Sequence, residues 1–331
     1  MTSSLTATPF TGLGVALATP FTTGTDAVGG ARKPQVDHAA YARLIEHVLA
    51  GGDGVDWLLV LGSTGEAATV SDTERVALIR AAVTMAGDVP VVAGVSANDT
   101  DRACDLALQA RGAGADALLV VTPFYNKPQV SGLVAHFRAV ADSVPDLPII
   151  AYNVPGRTGC NLTPEAMAQL WAIDQVVGLK ESSGDVRQLA RLCREAPPER
   201  AVLCGDDDLA LPAIALGARG LVSVCANVAP IETRELVQAA LRSDLAGARA
   251  SAALLAPLMT AMFVETNPVP VKAALACLGI SSATVRLPLS PAEPDTWTQV
   301  HRALGGLLSA RRSMPAQPWP FVPASPAALA S

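Results

Sequence analysis

The stretch Ala117–Thr122 reads ALLVVT and is apolar at five consecutive positions. An unbroken apolar run of this length, without alternation, is typical of a strand that is covered on both faces, as in a parallel sheet. Runs of the same character recur along the chain at Leu13–Ala18, Asp56–Leu61, Val89–Val95, Pro148–Asn153, Val176–Lys180, Ala201–Gly205 and Leu221–Val224. Together they predict eight buried parallel strands.

Helical periodicity fills the intervals between these strands, and several helix starts are marked. Asp37 is placed to cap a helix that runs to about Ala50. Ser71 and Glu74 have capping-box spacing, and Thr163–Glu165 combines a cap, a first-turn proline and an acid. Eight strand–helix units over roughly 215 residues predict an α/β fold of the (β/α)8 TIM-barrel type. A doubly wound sheet competes, but no strand is followed by G-x-G-x-x-G.

The strand runs stop after about Ile231, and only helical patterns remain. We therefore expect a small C-terminal helical domain beside the barrel. The predicted division is an N-terminal segment at 1–11, a catalytic barrel at 12–230, the helical domain at 231–308 and a tail rich in Pro, Ala and Ser at 309–331. Trp319 and Phe321 could dock part of that tail, and Thr22–Pro34 is predicted to be a surface loop.

Composition narrows the class of protein. The chain has 331 residues, a formal charge of -6 and 50% hydrophobic residues, so it can bury a large core. Its acidic balance argues against a nucleic-acid partner. We expect no membrane span, because the most apolar stretch is shorter than the ~20 residues a span needs. Without a basic start and apolar run at Met1–Phe10, a cytoplasmic location is expected.

Cysteine and histidine spacing gives no sign of a metal or a disulfide framework. The six cysteines form no C-x-x-C pair, and the four histidines form no H-x-x-x-H pattern. Reduced core cysteines and no resident metal are the expectation.

Polar residues follow the predicted strands at their carboxyl ends, where barrel enzymes carry their active sites. Lys180 ends an apolar strand, in a chain with only four lysines against twenty arginines. An amine in an enclosed apolar site loses its charge more readily, and the neutral amine condenses with ketones. The structural alternative is a lysine that packs its stem and extends its ammonium group to water or to a carboxylate, Glu181 being adjacent.

Other residues on this edge fit the same chemistry. Tyr125 and Tyr152, two of only three tyrosines, could pass protons or simply pack. Gly62–Gly65 could present backbone N–H groups to a small carboxylate, although such turns are common. Arg157 offers a bidentate fork for a second carboxylate, or forms a surface ion pair. We interpret Asp206–Asp208 as charge at a helix start rather than as a metal site.

Four motifs resemble the dihydrodipicolinate synthase / N-acetylneuraminate lyase family of class I aldolases. They are Gly62–Glu66, Tyr152–Gly159, Gly178–Asp185 and Asn267–Lys272, and the likeness runs from about Gly12 to about Leu307. Arg157 and the last of these motifs point to the synthase branch, since sugar-acid lyases usually carry an apolar or small residue in place of that arginine.

The resemblance implies a Schiff-base lyase that condenses pyruvate with L-aspartate 4-semialdehyde, giving 4-hydroxy-tetrahydrodipicolinate on the diaminopimelate route to lysine. Lys180 would form the imine, and Tyr152 would shuttle protons. The implied roles of the other residues concern the relay (Ser63, with Tyr125 from a neighbouring subunit), the pyruvate carboxylate (N–H groups of Ser63 and Thr64), the semialdehyde carboxylate (Arg157) and the pocket walls (Gly205 and Val222). No cofactor is implied beyond the lysine imine, and the implied assembly is a homotetramer, a dimer of dimers.

Two departures from the family pattern affect these expectations. Position 63 is more often threonine, so serine keeps the hydroxyl but lacks the methyl that fixes its rotamer. The places used for lysine feedback look like Asp72, Arg75, Arg102 and Phe124, and only Asn98 matches the pattern. Two arginines would repel a lysine cation, so inhibition by lysine is expected to be weak or absent.

Two alternatives remain open at this point. Another pyruvate-dependent aldolase or lyase of the family, acting on a hydroxy-oxo acid or a sugar acid, would share the pyruvate half of the site. A non-catalytic paralogue that serves as a ligand-binding or structural subunit would lack the nucleophile or the relay.

Overall fold

The structure is a computed structural model that describes residues 10–23, 33–52 and 54–312. Eight parallel strands pair in chain order, and β1 closes on β8 to form a barrel. The strands are β1 Gly12–Ala16, β2 Trp57–Val60, β3 Val91–Gly94, β4 Ala117–Val121, β5 Ile149–Asn153, β6 Val176–Glu181, β7 Ala201–Cys204 and β8 Gly220–Ser223. The (β/α)8 prediction is confirmed.

Helices connect the strands and continue beyond the last of them. They are α1 His38–Leu49, α2 Asp72–Ala86, α3 Thr100–Gly112, α4 Val130–Ser143, α5 Pro155–Thr158, α6 Pro164–Leu170, α7 Val186–Glu195, α8 Ala210–Ala215, α9 Pro230–Leu241, α10 Leu245–Ala261, α11 Val269–Cys277 and α12 Pro294–Arg312. None of the helices within the described ranges is long and apolar enough to cross a membrane.

The predicted helix starts are confirmed by the cap geometry. The Asp37 side chain accepts a hydrogen bond from the third residue of the α1 region, Ala40, at 2.9 Å. Ser71 and Glu74 form both bonds of the capping box at the head of α2. The Thr163 hydroxyl caps α6, which has a proline in its first turn. These local bonds fix where each helix leaves its loop, and therefore how each loop crosses the barrel edge.

Strand residues divide into two apolar clusters because side chains alternate between the two faces of a strand. One cluster fills the barrel interior and includes Leu59, Ile150, Tyr152 and Leu203. The other lies between the strands and the outer helices and is much larger. Both faces are therefore buried, which explains why the strands read as continuous apolar runs.

The C-terminal helices extend the outer layer. Helix α9 lies against both β1 and β8, and so covers the seam where the barrel closes. Helix α10 packs on α9, and α12 packs on α10 and α11. Helix α12 runs to Arg312, past the predicted domain end at 308. The domain boundaries at 230 and 308 stay predictions. Most of the Thr22–Pro34 loop and the tail with Trp319 and Phe321 lie outside the described residues.

Candidate active site

Lys180 and Tyr152 lie side by side at the carboxyl ends of neighbouring strands. They are register partners in the β5–β6 pair, so both project to the same side of the sheet. The Lys180 Nζ atom is 4.5 Å from the centroid of the Tyr152 ring, and the lysine is only 5% exposed. The amine is therefore enclosed by the barrel and next to a phenol.

Glu181 faces the opposite way and serves another purpose. Its carboxylate accepts hydrogen bonds from Asn153 Nδ2 at 2.9 Å and from the Ser183 N–H at 3.0 Å. Burial raises the pKa of this carboxyl group. Within the described ranges no ion pair joins Lys180 to Glu181, so the adjacent carboxylate is not the partner of this lysine. The Glu181–Asn153 bond instead ties β6 to β5 at the level of the amine.

A cavity of about 70 Å³ opens over the Lys180 amine. Its walls come from loops after several strands and from the helical region beyond the barrel. The lining residues are Ser63, Thr64, Tyr152, Val154, Arg157, Lys180, Ser182, Gly205, Asp206, Val224, Phe263 and Asn267. Six of the predicted site residues therefore come together: Ser63, Thr64, Tyr152, Arg157, Lys180 and Gly205.

Gly205 is required by the space beside the lysine. A Cβ atom at this position would lie 1.8 Å from Ser182 Oγ and 2.8 Å from Lys180 Cε. Both distances are well inside van der Waals contact, so any side chain at position 205 would displace the lysine stem. The glycine forms the wall of the cavity with its backbone.

Asn267 joins two of the predicted binding groups. Its Nδ2 donates to Thr64 Oγ1 at 2.9 Å, and its backbone carbonyl accepts from Arg157 Nη2 at 3.1 Å. The Asn267 side chain is buried, and its Oδ1 has no partner among the described residues. This residue sets the distance between the glycine-rich loop after β2 and the arginine on α5.

A buried ion pair supports the same loop from below. Lys272 Nζ on α11 pairs with the Glu66 carboxylate, and Nζ also lies 4.0 Å from the centroid of the Phe21 ring. The other Glu66 oxygen accepts from the Arg286 N–H at 3.0 Å. Burial lowers the pKa of Lys272 to about 8, against the opposing attraction of Glu66. The motifs that contain Ser63 and Asn267 are thus held together by charge as well as by Thr64.

Two predicted residues are not at this cavity. Val222, expected to wall the pyruvate pocket, belongs to the barrel-interior cluster with Tyr152, and its role stays a prediction. Val224, which directly follows β8, lines the cavity. Tyr125 is 87% exposed in the single chain and has a left-handed backbone with φ 71°.

The predicted relay is only partly assembled in one chain. Ser63 and Tyr152 line the same cavity. Among the residues the structure describes, no hydrogen bond joins their hydroxyl groups directly. A relay between them therefore requires a bound group or a further hydroxyl.

The aspartates in the acidic run after β7 differ in what they contact. Asp207 is buried and accepts from Ser223 Oγ, from the Val224 N–H at 2.9 Å and from the Cys225 N–H at 3.1 Å, so it shapes the loop after β8. Burial raises its pKa. Asp206 instead lines the cavity. In the described ranges no group of three or more His, Cys, Asp and Glu side chains is arranged to hold a metal ion.

Six residues that line the cavity were not predicted as site residues: Val154, Ser182, Asp206, Val224, Phe263 and Asn267. Two of them carry a readable signal, because Ser182 is two positions after Lys180 on the same face and Asp206 directly follows a strand-end glycine. Phe263 and Asn267 come from beyond the barrel, where strand-end reasoning says nothing.

The chemistry of this arrangement is specific. An enclosed amine lies next to a phenol, with backbone N–H groups and hydroxyls of the Ser63–Thr64 loop on one side and a guanidinium on another. Such a site can bind a small keto acid by its carboxylate, bond its carbonyl carbon to the amine and move protons through the phenol.

Comparison with known proteins gives the same assignment as the motifs. The model of the Dihydrodipicolinate synthetase family matches residues 9–306. A 4-hydroxy-tetrahydrodipicolinate synthase of Thermomicrobium roseum is 46% identical over 292 residues, covering 88% of this chain and 92% of that protein. The one from Salinibacter ruber is 45% identical, covering 85% and 90%.

Solved structures agree with the sequence relatives. Dihydrodipicolinate synthase from Aquifex aeolicus superposes with a TM-score of 0.83 at 39% identity, covering 89% of this chain and 97% of that one. A chloride-inhibited dihydrodipicolinate synthase from Acinetobacter baumannii, complexed with pyruvate, has a TM-score of 0.84 at 36% identity, covering 90% and 98%. With a matching family model, relatives above 40% identity and the same barrel, this chain belongs to the dihydrodipicolinate synthetase family.

Proposed function

We propose that this protein is a lyase of the class I aldolase type that condenses pyruvate with L-aspartate 4-semialdehyde to 4-hydroxy-tetrahydrodipicolinate. The observation that carries the proposal is the enclosed Lys180 amine, 4.5 Å from the Tyr152 ring and facing a cavity that Arg157 also lines. The similar proteins that bear the synthase name support the choice of reaction.

The first half of the reaction uses the lysine as nucleophile. The Lys180 amine attacks the keto carbon of pyruvate, and the carbinolamine loses its hydroxyl as water to give an iminium ion. Tyr152 delivers the proton that leaves with that hydroxyl. The iminium accepts the electrons of a methyl C–H bond as the proton departs, which gives an enamine. The imine itself is the electron sink, so the proposal needs no metal or organic cofactor.

The second half joins the two substrates. The enamine carbon attacks the aldehyde carbon of the semialdehyde, whose oxygen takes up a proton. The amino group of the same substrate then attacks the imine carbon and expels the Lys180 amine, which closes the ring and frees the enzyme.

Binding groups are assigned by charge. The N–H groups of Ser63 and Thr64 hold the pyruvate carboxylate, and the Arg157 guanidinium holds the carboxylate of the semialdehyde. Gly205 and Val222 form the walls of the pyruvate pocket, and Val224 also lines the cavity. The exposed Tyr125 is donated to a neighbouring subunit, where it completes the relay with Ser63 and Tyr152. The proposed assembly is a homotetramer built as a dimer of dimers.

Borohydride trapping tests the nucleophile. Incubation with pyruvate and borohydride should add one reduced pyruvate adduct to the protein, located on Lys180 by peptide mass spectrometry. Lys180→Ala should give no adduct, and Lys127→Ala, which changes a lysine outside the cavity, should give the wild-type yield. An adduct elsewhere, or none in the wild type, would reject the mechanism.

A coupled assay tests the second substrate. Turnover of pyruvate with L-aspartate 4-semialdehyde, followed by reduction of the cyclic product, should exceed turnover with hydroxy-oxo acids and sugar aldehydes. If trapping succeeds and another aldehyde is preferred, the pyruvate half of the proposal stands and the synthase assignment fails.

We further propose that lysine inhibits this enzyme weakly or not at all. Arg102 forms a two-point ion pair with Asp72, one bond being 2.9 Å long. The Arg75 guanidinium is buried and donates to backbone carbonyl groups of Ala67 and Gly94. Two guanidinium groups against the single Asp72 carboxylate leave a net positive charge where the resemblance places the lysine site, and this charge repels a lysine cation. Titration with L-lysine should leave the rate nearly constant, and strong inhibition at millimolar lysine would contradict the proposal.

A further inference from the structure

Asp206 is the acidic residue of the cavity. Among the described residues that line it, no other carries a carboxylate, while Lys180 and Arg157 carry cationic groups. Asp206 is half-buried, and no hydrogen bond to its carboxylate is formed by the described part of the chain. The adjacent Asp207 accepts three hydrogen bonds, and Asp208 is exposed. Asp206 is thus the half-buried member of the run whose carboxylate accepts no hydrogen bond from the described residues.

The position of Asp206 in the barrel order is informative. Lys180 lies on β6, and the two neighbouring strands are β5 and β7. Arg157 follows β5 and Asp206 follows β7, so the guanidinium and the carboxylate come from segments on either side of the amine. An amino acid that carries an aldehyde has one anionic and one cationic group close to the carbon that reacts. The cavity therefore offers a charge of opposite sign for each of them.

A nearby positive charge stabilises the ionised Asp206 carboxylate. Burial raises the pKa of Asp206 to about 6, and the nearby Lys180 charge opposes this rise. Once Lys180 is bonded to pyruvate, its charge alternates between iminium and neutral enamine. A half-buried carboxylate then lacks a constant counter-charge, and a substrate ammonium group supplies one.

We propose that Asp206 is a specificity-determining residue that binds the ammonium group of the second substrate, while Arg157 binds its carboxylate. This inference rests on the proposed function and deepens it. Asp206 holds the substrate nitrogen next to Lys180. That nitrogen later attacks the imine carbon and displaces the Lys180 amine. Aldehydes without an amino group gain nothing from this residue.

The test compares two aldehydes that differ only in the amino group. In Asp206→Asn we expect the KM for L-aspartate 4-semialdehyde to rise about 10- to 100-fold, the range of a charge-assisted hydrogen bond. The inhibition constant of 4-oxobutanoate, the same aldehyde without the amino group, should change less than twofold. The yield of borohydride-trapped pyruvate should stay at the wild-type level, and Asp206→Glu should recover part of the loss.

Asp208→Asn is the matched control, since it removes an exposed carboxylate two positions along and should leave every constant unchanged. A pH series adds a second readout. The wild-type KM for the amino aldehyde should rise as the pH falls through about 6, because protonation of Asp206 removes the attraction, and the Asp206→Asn profile should be flat there.

Each contrary outcome has a distinct meaning. Equal losses with both aldehydes, or an unchanged KM for the amino aldehyde, would overturn the inference while the proposed function stands. Loss of pyruvate trapping would also overturn it, because Asp206 would then act on Lys180. If wild-type protein traps pyruvate and does not turn over the amino aldehyde, the proposed second substrate fails and the inference fails with it.

Discussion

At the scale of single residues, the reactive amine depends on what surrounds its four-carbon stem. Lys180 is flanked by the Tyr152 ring on β5 and by the bare backbone of Gly205 after β7. In the proposed mechanism the first neighbour supplies a hydroxyl for proton transfer, and the second leaves room for the carbinolamine to form. Because a barrel interior is close-packed, this room exists only where a side chain is missing.

Gly205→Ala should therefore lower catalysis strongly. The new methyl group would meet Ser182 Oγ and Lys180 Cε at impossible distances, so the lysine must move away from the keto carbon. We expect kcat to fall at least about 100-fold, since a shift of 1 Å costs this much in a positioned reaction. The measurement is the rate of borohydride trapping with pyruvate together with steady-state turnover.

Gly305→Ala is the control for this substitution, because a methyl group at that helical position meets nothing within 4 Å. Adding Ser182→Ala to Gly205→Ala should restore only part of the rate, since the contact with the lysine stem remains. Wild-type trapping by Gly205→Ala would show that the lysine does not need this space.

Some residues of the site can be predicted from the sequence, and others cannot. Lys180 could be predicted because a lysine that ends an apolar run is unusual and because barrel active sites lie at strand ends. Asn267 could not be placed at the cavity, since only the fold brings it to Thr64 across 203 positions of chain. The role of Val222 as a pocket wall stays a prediction, since it lies in the barrel-interior cluster while Val224, directly after β8, lines the cavity.

At the scale of elements, the loop after β2 and helix α11 behave as one unit. The Glu66 carboxylate pairs with the Lys272 ammonium and accepts a hydrogen bond from the Arg286 N–H. Asn267 donates a hydrogen bond to Thr64. The loop whose N–H groups are proposed to hold the substrate carboxylate is therefore positioned by a helix outside the barrel. The motifs Gly62–Glu66 and Asn267–Lys272 therefore contact each other directly.

Lys272→Met should destabilise the protein more than its size change suggests. It leaves the Glu66 carboxylate buried without its counter-ion, which costs about 3–5 kcal/mol, whereas Glu66→Gln together with Lys272→Met should cost clearly less. Urea titration at a constant m value measures both differences in the free energy of unfolding.

The exposed pair of Arg111 and Asp146 provides the control for this comparison. Arg111→Met should cost about 1 kcal/mol or less, because solvent screens that pair. Equal costs for Lys272→Met and Arg111→Met would contradict the role given to the buried pair. We also expect Lys272→Met, where it folds, to bind pyruvate more weakly, since the Ser63–Thr64 loop loses its support.

At the scale of the whole molecule, the barrel could be predicted nearly strand for strand. All eight runs contain the observed strands or most of each, because burial on both faces leaves an unbroken apolar signature. Helix α9 is harder to assign from sequence, since an outer barrel helix and a helix of a separate domain carry the same amphipathic pattern. In the structure α9 contacts β1 and β8, so it belongs to the outer layer of the barrel.

Tyr125 presents its side chain to solvent in the single chain. It is the most exposed large hydrophobic residue in the described ranges, with a left-handed backbone and a hydrogen bond from its N–H to the Thr158 carbonyl at 3.3 Å. A side chain this exposed is accessible to a second copy of the chain, as the proposed relay across a subunit interface requires.

Co-expression of two inactive variants tests whether Tyr125 acts across an interface. Tyr125→Phe alone should lower kcat about 100-fold or more, the usual contribution of a proton-transfer group, and Lys180→Ala alone should be inactive. In a mixed dimer, the subunit that keeps Lys180 receives Tyr125 from its Lys180→Ala partner, so one of its two sites is complete. We expect co-expressed chains to recover up to about a quarter of wild-type turnover per subunit, because half of randomly formed dimers are mixed and each has one complete site. If Tyr125 acted within its own chain, no mixed dimer would contain a complete site, and co-expression would restore nothing beyond the residual rate of Tyr125→Phe.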